Sequence, residues 1–358
     1  MSVFSSASFD NHEQVLFCSD KETGLRAIIA IHSTAIGPGV GGCRMWPYAS
    51  EEDALSDVLR LSRSMSYKNA LANLGLGGAK AIIIGDAKSQ KSPELMKAFG
   101  RYVDSLSGRY ITAEDVGMSV EDMAHVATQT RWVAGLVRGN AASGDPSPFT
   151  AHGVFCGIRA SLKHMNGSDD LKGVRVAVQG LGHVGYNLCR ELHEAGAKLV
   201  VTDIHAKHLE PVVKDFGATA VAVDAIVGQD VDVFAPCALG AVINDETIPQ
   251  LKAKIIAGAA NNQLAEARHG EILRERGILY APDYLINAGG IMNVANEIRG
   301  VPVTVEAGMA AVEVVYGTLL EIYATAKREG RPTSEIADEM AQARIETAKA
   351  AGGWHIAA

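Results

Sequence analysis

Apolar and polar positions along this chain follow two periods that alternate. Predominantly apolar runs at 25–31, 81–84, 110–113, 174–178, 199–201, 218–221, 231–235, 255–257 and 278–281 read as buried strands, because a strand covered on both faces shows little polar side. Between them lie stretches with helical spacing. Leu55, Val58, Leu59, Ser62 and Met65 fall on one helix face, Leu95, Phe99, Tyr102 and Leu106 on another, and Thr150, Val154, Ile158 and Leu162 on a third. Ser50 with Asp53, Ser92 with Pro93, and Ser119 with Asp122 are helix starts, in which a hydroxyl caps the first turn. Two more helices are expected over 312–326 and 334–350, separated by Gly330-Arg331-Pro332. Strands that alternate with helices predict an α/β protein with a doubly wound parallel sheet.

The periodicity lapses after Trp132, and Gly139-Asn140-Ala141-Ala142-Ser143-Gly144-Asp145-Pro146-Ser147-Pro148 reads as a linker. This divides the chain into a first α/β domain over 1–140, a second over 141–328 and a C-terminal helical segment over 329–358, expected to pack back on the first domain. A chain of 358 residues is long enough for two cores.

One stretch of the second domain has a chemical meaning of its own. The run 174–178 leads into Gly180-Leu181-Gly182-His183-Val184-Gly185, then a helix, then the strand 199–201 and Asp203. This is the order of a dinucleotide-binding βαβ unit. Gly180 allows the tight turn, Gly182 lets the backbone approach a pyrophosphate, and Gly185 lets the helix sit close to its strand. Asp203 stands about 20 residues on, where an acid accepts hydrogen bonds from a ribose and repels a 2′-phosphate, which favours NAD over NADP. His205 and Lys207 would soften that preference. Gly258-Ala259-Ala260-Asn261-Asn262 and Asn287-Ala288-Gly289-Gly290 follow later strands of the same sheet. As turns at carboxyl ends of strands, they are expected to face the nicotinamide end of the cofactor.

Composition narrows the function classes. A net charge of −8 and no cluster of Lys and Arg argue against a nucleic-acid surface. No apolar run approaches a membrane span, and the polar N-terminus lacks the plan of a signal peptide, so the cytoplasm is the expected compartment. The five cysteines, Cys18, Cys43, Cys156, Cys189 and Cys237, show no metal-ligand spacing and read as small apolar residues, so no metal is expected.

The candidate chemistry lies in the first domain. Lys80 follows the turn Gly75-Leu76-Gly77-Gly78-Ala79 and opens an apolar strand, a setting in which desolvation favours the neutral amine needed for general-base work. Lys68 is a fixed positive charge suited to a substrate carboxylate. Asp115 ends a strand, the usual place for a functional carboxylate, while Glu114 points the other way in an extended chain. A lysine and an aspartate beside a nicotinamide can form, protonate and deprotonate a carbinolamine, which are the steps of oxidative deamination.

Seven segments together, from Gly37 to Trp46, Met65 to Asn69, Gly77 to Lys80, Tyr110 to Gly117, Gly144 to Pro148, Phe234 to Ala238 and Ile286 to Gly290, resemble the glutamate/leucine/phenylalanine/valine dehydrogenase family over nearly the whole chain. The resemblance implies a first domain for substrate and assembly, a second for NAD, and a cleft that closes for hydride transfer. It implies that Lys68 holds the substrate α-carboxylate with Gly41, Gly42 and Asn261 nearby, that Lys80 activates water, and that Asp115 shuttles protons. Thr150 and Asn261 or Asn262 would orient the nicotinamide. Val40, Met65, Ala113, Ile291 and Val294 match the side-chain pocket, and all are apolar. A glutamate carboxylate would be buried there unpaired, which disfavours glutamate. The resemblance implies a branched-chain or other apolar L-amino acid as substrate, leucine above all and also valine or isoleucine, although these differ by a methylene or its placement and the pocket residues do not rank them. Phenylalanine or tryptophan would need a wider pocket. A catalytically idle NAD-binding protein is the reading from another class, and the presence of Lys68, Lys80 and Asp115 argues against it. The resemblance also implies a homo-oligomer, anywhere from dimer to octamer. One departure from the family pattern is Ala79, where relatives commonly carry glycine; the added methyl is expected to bear on rate and loop geometry, not on reaction type.

Overall fold

A computed structural model of the chain describes residues 3–136, 145–300 and 304–355. The chain forms two units, one of residues 1–144 with 294–302 and 341–358, the other of 145–293 with 303–340. Most of the expected linker, 139–144, lies outside the described residues.

The first unit is built on a mixed six-stranded sheet in the order β1-β2-β5-β3-β6, with β4 also paired to β5. Its strands are β1 (Gln14–Asp20), β2 (Leu25–Ser33), β3 (Gly39–Val40), β4 (Cys43–Trp46), β5 (Gly77–Ile84) and β6 (Tyr110–Ile111). The strand period of two sorts the side chains between two layers. Ile28, Ala30 and Ile82 meet Ala54, Leu55, Val58 and Leu59 of helix α1 (Glu51–Leu71). Ile29, Ile31, Ala79, Ala81 and Ile83 meet Phe99 and Val103 of α2 (Pro93–Ser105) and Met123 of α3 (Val120–Val126). The expected helix caps are all made: Ser50, Ser92 and Ser119 accept from the N–H groups of Asp53, Leu95 and Asp122.

Lys80 does not open its strand after a glycine turn. It lies inside β5, which begins at Gly77, and pairs with Ala30 across the antiparallel contact to β2. Lys80 therefore shares the face of Ile82, toward α1, while Ala79 turns its methyl into the opposite core, fully buried and in an ordinary strand conformation. The expected effect on loop geometry does not arise, because position 79 is not in a loop.

The second unit carries six parallel strands in the order β12-β11-β10-β7-β8-β9. It opens with helix α4 (Ser147–Asn166), followed by β7 (Arg175–Gln179), α5 (His183–Glu194), β8 (Lys198–Thr202), α6 (Ala206–Phe216), β9 (Thr219–Ala220), β10 (Val233–Pro236), β11 (Ile255–Ile256), α7 (Arg268–Glu275) and β12 (Leu279–Tyr280). The chain runs outward from β7 to β9, then returns to the other side of β7 for β10 to β12. The order reverses between β7 and β10, and in such sheets ligands bind at that crevice, beyond the carboxyl ends of the strands. The helices α8 (Asp283–Ile286), α9 (Gly289–Ile298), α10 (Val305–Val312), α11 (Val314–Glu329) and α12 (Thr333–Ala350) complete the chain.

The division differs from the expected boundaries in two places. Residues 294–302 belong to the first unit: the Gly135 and Leu136 N–H groups donate to Glu297 Oε1 at 2.9 and 3.1 Å, and Arg299 donates to the Leu74 carbonyl. The C-terminal segment joins that unit only from 341, where Arg344 donates to the Ala70 and Leu71 carbonyls at 3.0 and 2.9 Å and so satisfies the end of α1.

Two glycines should respond in opposite ways to alanine. At Gly317, exposed in α11, a Cβ meets nothing within 4 Å, so Gly317→Ala should raise stability by about 0.5–1 kcal/mol. At Gly185 it would lie 2.0 Å from the Gly180 carbonyl oxygen, so Gly185→Ala should lower stability by about 1–3 kcal/mol. Chemical denaturation of the two variants checks both signs.

Candidate active site

The lysine and the aspartate singled out in the sequence come together in the first unit. Lys80 Nζ forms an ion pair with Asp115 Oδ2, with the lysine side chain 8% and the aspartate side chain 22% exposed. Glycines permit this approach. A Cβ at Gly41 would lie 1.8 Å from the Ala79 carbonyl oxygen, and one at Gly42 would lie 2.5 Å from the Glu114 carbonyl oxygen and 2.9 Å from Asp115 Cβ. Any side chain at 41 or 42 would push the strands apart. Cys43 N–H then donates to the Ala113 carbonyl at 2.8 Å, which ties β4 to the segment carrying Asp115. Glu114 turns outward, as the extended chain predicts.

Asp115 is not a helix cap, since Ser119 fills that place for α3. Burial pushes its carboxyl up, but Lys80 and then Arg44 outweigh burial and hold it below the ordinary aspartate range. Arg44 had no assigned role in the sequence reading. Its Nε lies 3.5 Å from Asp115 Oδ2 and its Nη1 donates to Asp57 Oδ2 at 3.0 Å, which also accepts from the Tyr48 hydroxyl at 2.6 Å. Its only sequence signal was its place two residues after Gly42.

The other residues expected around the substrate sit as follows. Val40 is buried, and Met65, Lys68, Ala113, Ile291 and Val294 are half-buried. Met65 and Lys68 are three apart on α1 and share a face; Met65 Cγ lies 3.2 Å from where a Gly41 Cβ would stand. Ile291 and Val294 are likewise three apart on α9.

In the second unit, each glycine of the turn after β7 does what its residue type suggests. Gly180 has φ +95°, a Cβ at Gly182 would meet nothing within 4 Å, and Gly185 packs on the Gly180 carbonyl. α5 starts at His183 and Val184 with no side-chain cap, so its N-terminus keeps its partial positive charge for an anion. Asp203 closes the turn: its Oδ2 accepts from Leu181 N–H at 2.7 Å and its Oδ1 from His205 N–H at 2.8 Å, with His208 Nδ1 at 3.2 Å. Burial pushes this carboxyl up, and the two backbone donors with His208 bring it below the ordinary range.

Asn287 Nδ2 donates to Asn261 Oδ1 at 2.7 Å and to the Ala259 carbonyl at 3.1 Å, which joins the two amide-rich segments. Its own Oδ1 is buried and accepts nothing. A nicotinamide carboxamide carries N–H donors of the kind that oxygen lacks, and the open Gly182 turn suits a pyrophosphate; these residues fit a nicotinamide dinucleotide. Asn262 adopts φ +52°, and Gln263 ties that turn down by donating to the Gly258 and Ala260 carbonyls. Gly289 and Gly290 do not form a turn after Asn287. They open α9, and a Cβ there would lie 1.8 Å from the Phe149 carbonyl oxygen or 2.7 Å from Thr150 Oγ1, so small size at these two positions lets α9 start against α4.

All five cysteines are free thiols. Among the described residues, two groups of metal-ligating side chains come together that spacing had not suggested: His152, Cys156 and Glu313, and Asp245, Glu266 and His269. In both, the carboxylates are already paired with an arginine, Arg159 or Arg268.

Known proteins share these features. The family model described as "Glu/Leu/Phe/Val dehydrogenase, dimerisation domain" matches residues 12–132, and "Glutamate/Leucine/Phenylalanine/Valine dehydrogenase" matches 143–206 and 201–353. The chain is 54% identical to leucine dehydrogenase of Geobacillus stearothermophilus over 98% of its length and 95% of that protein's, and 53% identical to that of Bacillus subtilis over 97% and 94%. The crystal structure of L-tryptophan dehydrogenase from Nostoc punctiforme superposes with a TM-score of 0.84 at 48% identity, covering 95% of this chain and 97% of that one. With a buried lysine–aspartate pair in one unit and a dinucleotide turn in the other, the chain belongs to the glutamate/leucine/phenylalanine/valine dehydrogenase family, as an amino-acid dehydrogenase that uses a nicotinamide cofactor.

Proposed function

We propose that this enzyme carries out the reversible, NAD-dependent oxidative deamination of branched-chain L-amino acids, leucine foremost, giving the 2-oxo acid, ammonia and NADH. The observation that carries the reading is the buried Lys80–Asp115 pair set against Gly41 and Gly42 beside apolar Val40, Met65 and Ala113. Lys68 holds the substrate α-carboxylate as a fixed cation beside Gly41 and Gly42, and the apolar residues take the side chain; Asn261, Ile291 and Val294 are the further residues assigned to substrate binding. Asp115 accepts a proton from the substrate ammonium, which frees the nitrogen lone pair that must form the imine. A nicotinamide held by the second unit would supply hydride transfer from the substrate Cα in deamination and back to it in the reverse direction. Lys80, as the amine, then removes a proton from the water that adds to the imine carbon, Asp115 passes its proton to the carbinolamine nitrogen, and as the C–N bond breaks and ammonia leaves Asp115 takes the hydroxyl proton, so that the carbonyl forms.

Thr150, Asn261, Asn262 and Asn287 orient the nicotinamide, and the turn from Gly180 to Gly185 holds the pyrophosphate. Asp203, with both oxygens held, keeps a fixed negative charge where NADP would bring a phosphate. The first unit serves substrate binding and assembly, the second serves NAD, and the working form is a cytoplasmic homo-oligomer. Among the described residues no helix is long and apolar enough to cross a membrane.

The likeness to a tryptophan dehydrogenase favours one competing reading, an aromatic substrate. A panel of L-amino acids followed by NADH formation decides between them. Leucine should have the highest kcat/KM, with valine and isoleucine lower by roughly 10–200-fold and glutamate inactive; a preference for tryptophan or phenylalanine contradicts the substrate assignment. Lys80→Ala should lower kcat by at least about 10²-fold, while NADH binding, read by fluorescence, persists. Asp203→Ser should raise the KM for NAD⁺ and improve the use of NADP⁺, and an unchanged cofactor ratio counts against the role of Asp203.

A further inference from the structure

Two cations meet the buried carboxylate of Asp115 on one oxygen, and the proposed mechanism uses only one of them. Lys80 must enter the reaction as the amine, without its proton. In that state the carboxylate that is to accept the substrate's proton lacks its nearest positive charge, and burial then favours the protonated acid. Arg44 does not have this weakness, because a guanidinium keeps its proton at any working pH. Its placement suits the task. Arg44 Nε and Asp115 Oδ2 are both buried and face each other at 3.5 Å, on the oxygen that Lys80 Nζ also meets. On the other side, Nη1 is anchored at 3.0 Å by Asp57, whose Oδ2 is in turn held by the Tyr48 hydroxyl at 2.6 Å. Burial, Asp57 and then the arginine act on the Tyr48 phenol, with a net rise above its ordinary range, so it stays protonated as the donor.

The groups packed around Asp115 leave few alternatives. β5 contributes Lys80, β4 contributes Arg44 and the Cys43 thiol, β6 contributes the Tyr110 phenol, and α1 reaches the site with Asp57 through Arg44. Burial raises the Cys43 thiol and the Tyr110 phenol well above their usual ranges, so both are neutral. Arg44 is the one permanent charge in contact with the Asp115 carboxylate among these groups.

We propose that Arg44 is a positioning residue for the reaction: anchored by Asp57 and Tyr48, it keeps the Asp115 carboxylate charged and aimed at Lys80 while the lysine is the free amine and the carboxylate has yet to accept the substrate's proton. This rests on the roles given above to Lys80 and Asp115. Losing the positive charge raises the pH at which the Asp115 carboxyl takes up a proton.

The test is the pH dependence of kcat/KM for L-leucine in the full-length enzyme and in Arg44→Gln, Arg44→Lys and Lys80→Ala. Arg44→Gln should lower kcat about tenfold or more with little change in the KM for leucine, and move the acidic limb up by about one pH unit. Arg44→Lys keeps the charge, so its acidic limb should stay within about half a unit of the parent. An unmoved limb in Arg44→Gln overturns the proposal, as does a limb in Arg44→Lys displaced by about a unit or more; the lysine variant decides alone if the glutamine variant does not fold. Turnover retained in Lys80→Ala would remove the mechanism on which this inference stands. An inactive Lys80→Ala together with a parent-like limb in Arg44→Gln would remove the role of Arg44 alone.

Discussion

A carboxylate buried against two cations is the constraint from which the first unit can be understood. Charges taken out of water cost several kcal/mol each, and the cost is offset only where opposite charges touch. Asp115 satisfies this through Lys80 in β5 and Arg44 in β4, two parallel neighbours in the sheet. Both must come close to the segment after β6. The backbone reaches that closeness because Gly41 and Gly42 carry no side chain where the Ala79 and Glu114 carbonyls stand. The apolar layers on either side of β5 hold the lysine in a dry place, and the ion pair keeps that place from being a cost without return.

Close backbone approach also organises the second unit. Gly185 seats α5 on the turn it follows, and Gly289 and Gly290 bring the start of α9 against Phe149 and Thr150. In each case the missing side chain leaves room for a helix terminus or for polar backbone that can meet a ligand. Asp203 and Gln263 then fix the turns that the glycines free, one through N–H donors at Leu181 and His205, the other through carbonyls at Gly258 and Ala260. Chemistry is thus divided by unit: proton handling belongs to one sheet, dinucleotide recognition to the other.

Much of this was legible in the sequence because it depends on local rules. Capping serines, apolar strand runs and the glycine spacing from Gly180 to Gly185 each act within a few residues. What was hidden depends on distant partners. β1 is a half-exposed edge strand whose side chains show no clean alternation, so only its hairpin with β2 reveals it. Lys80 reads as a strand opener because Gly77 and Gly78 look like a turn, yet β3 pairs with them and extends the strand backward. The role of Arg44 depends on Asp57 and Asp115, which reach it from α1 and from the segment after β6. The unit boundaries within α9 and α12 are set by Glu297 and Arg344, single side chains that find carbonyl or N–H partners far away in sequence.

The most direct check is the charge state of Asp115 itself. Carbon-13 NMR of enzyme labelled at aspartate carboxyls, with the Asp115 signal assigned by its loss in Asp115→Asn, follows that carboxyl through an acid titration. The Asp115 carboxylate should stay ionised to a pH below the ordinary aspartate range, where most other aspartates have begun to protonate. A signal that titrates at or above that range would mean that Lys80 and Arg44 do not outweigh burial, and the paired carboxylate at the centre of this account would not exist.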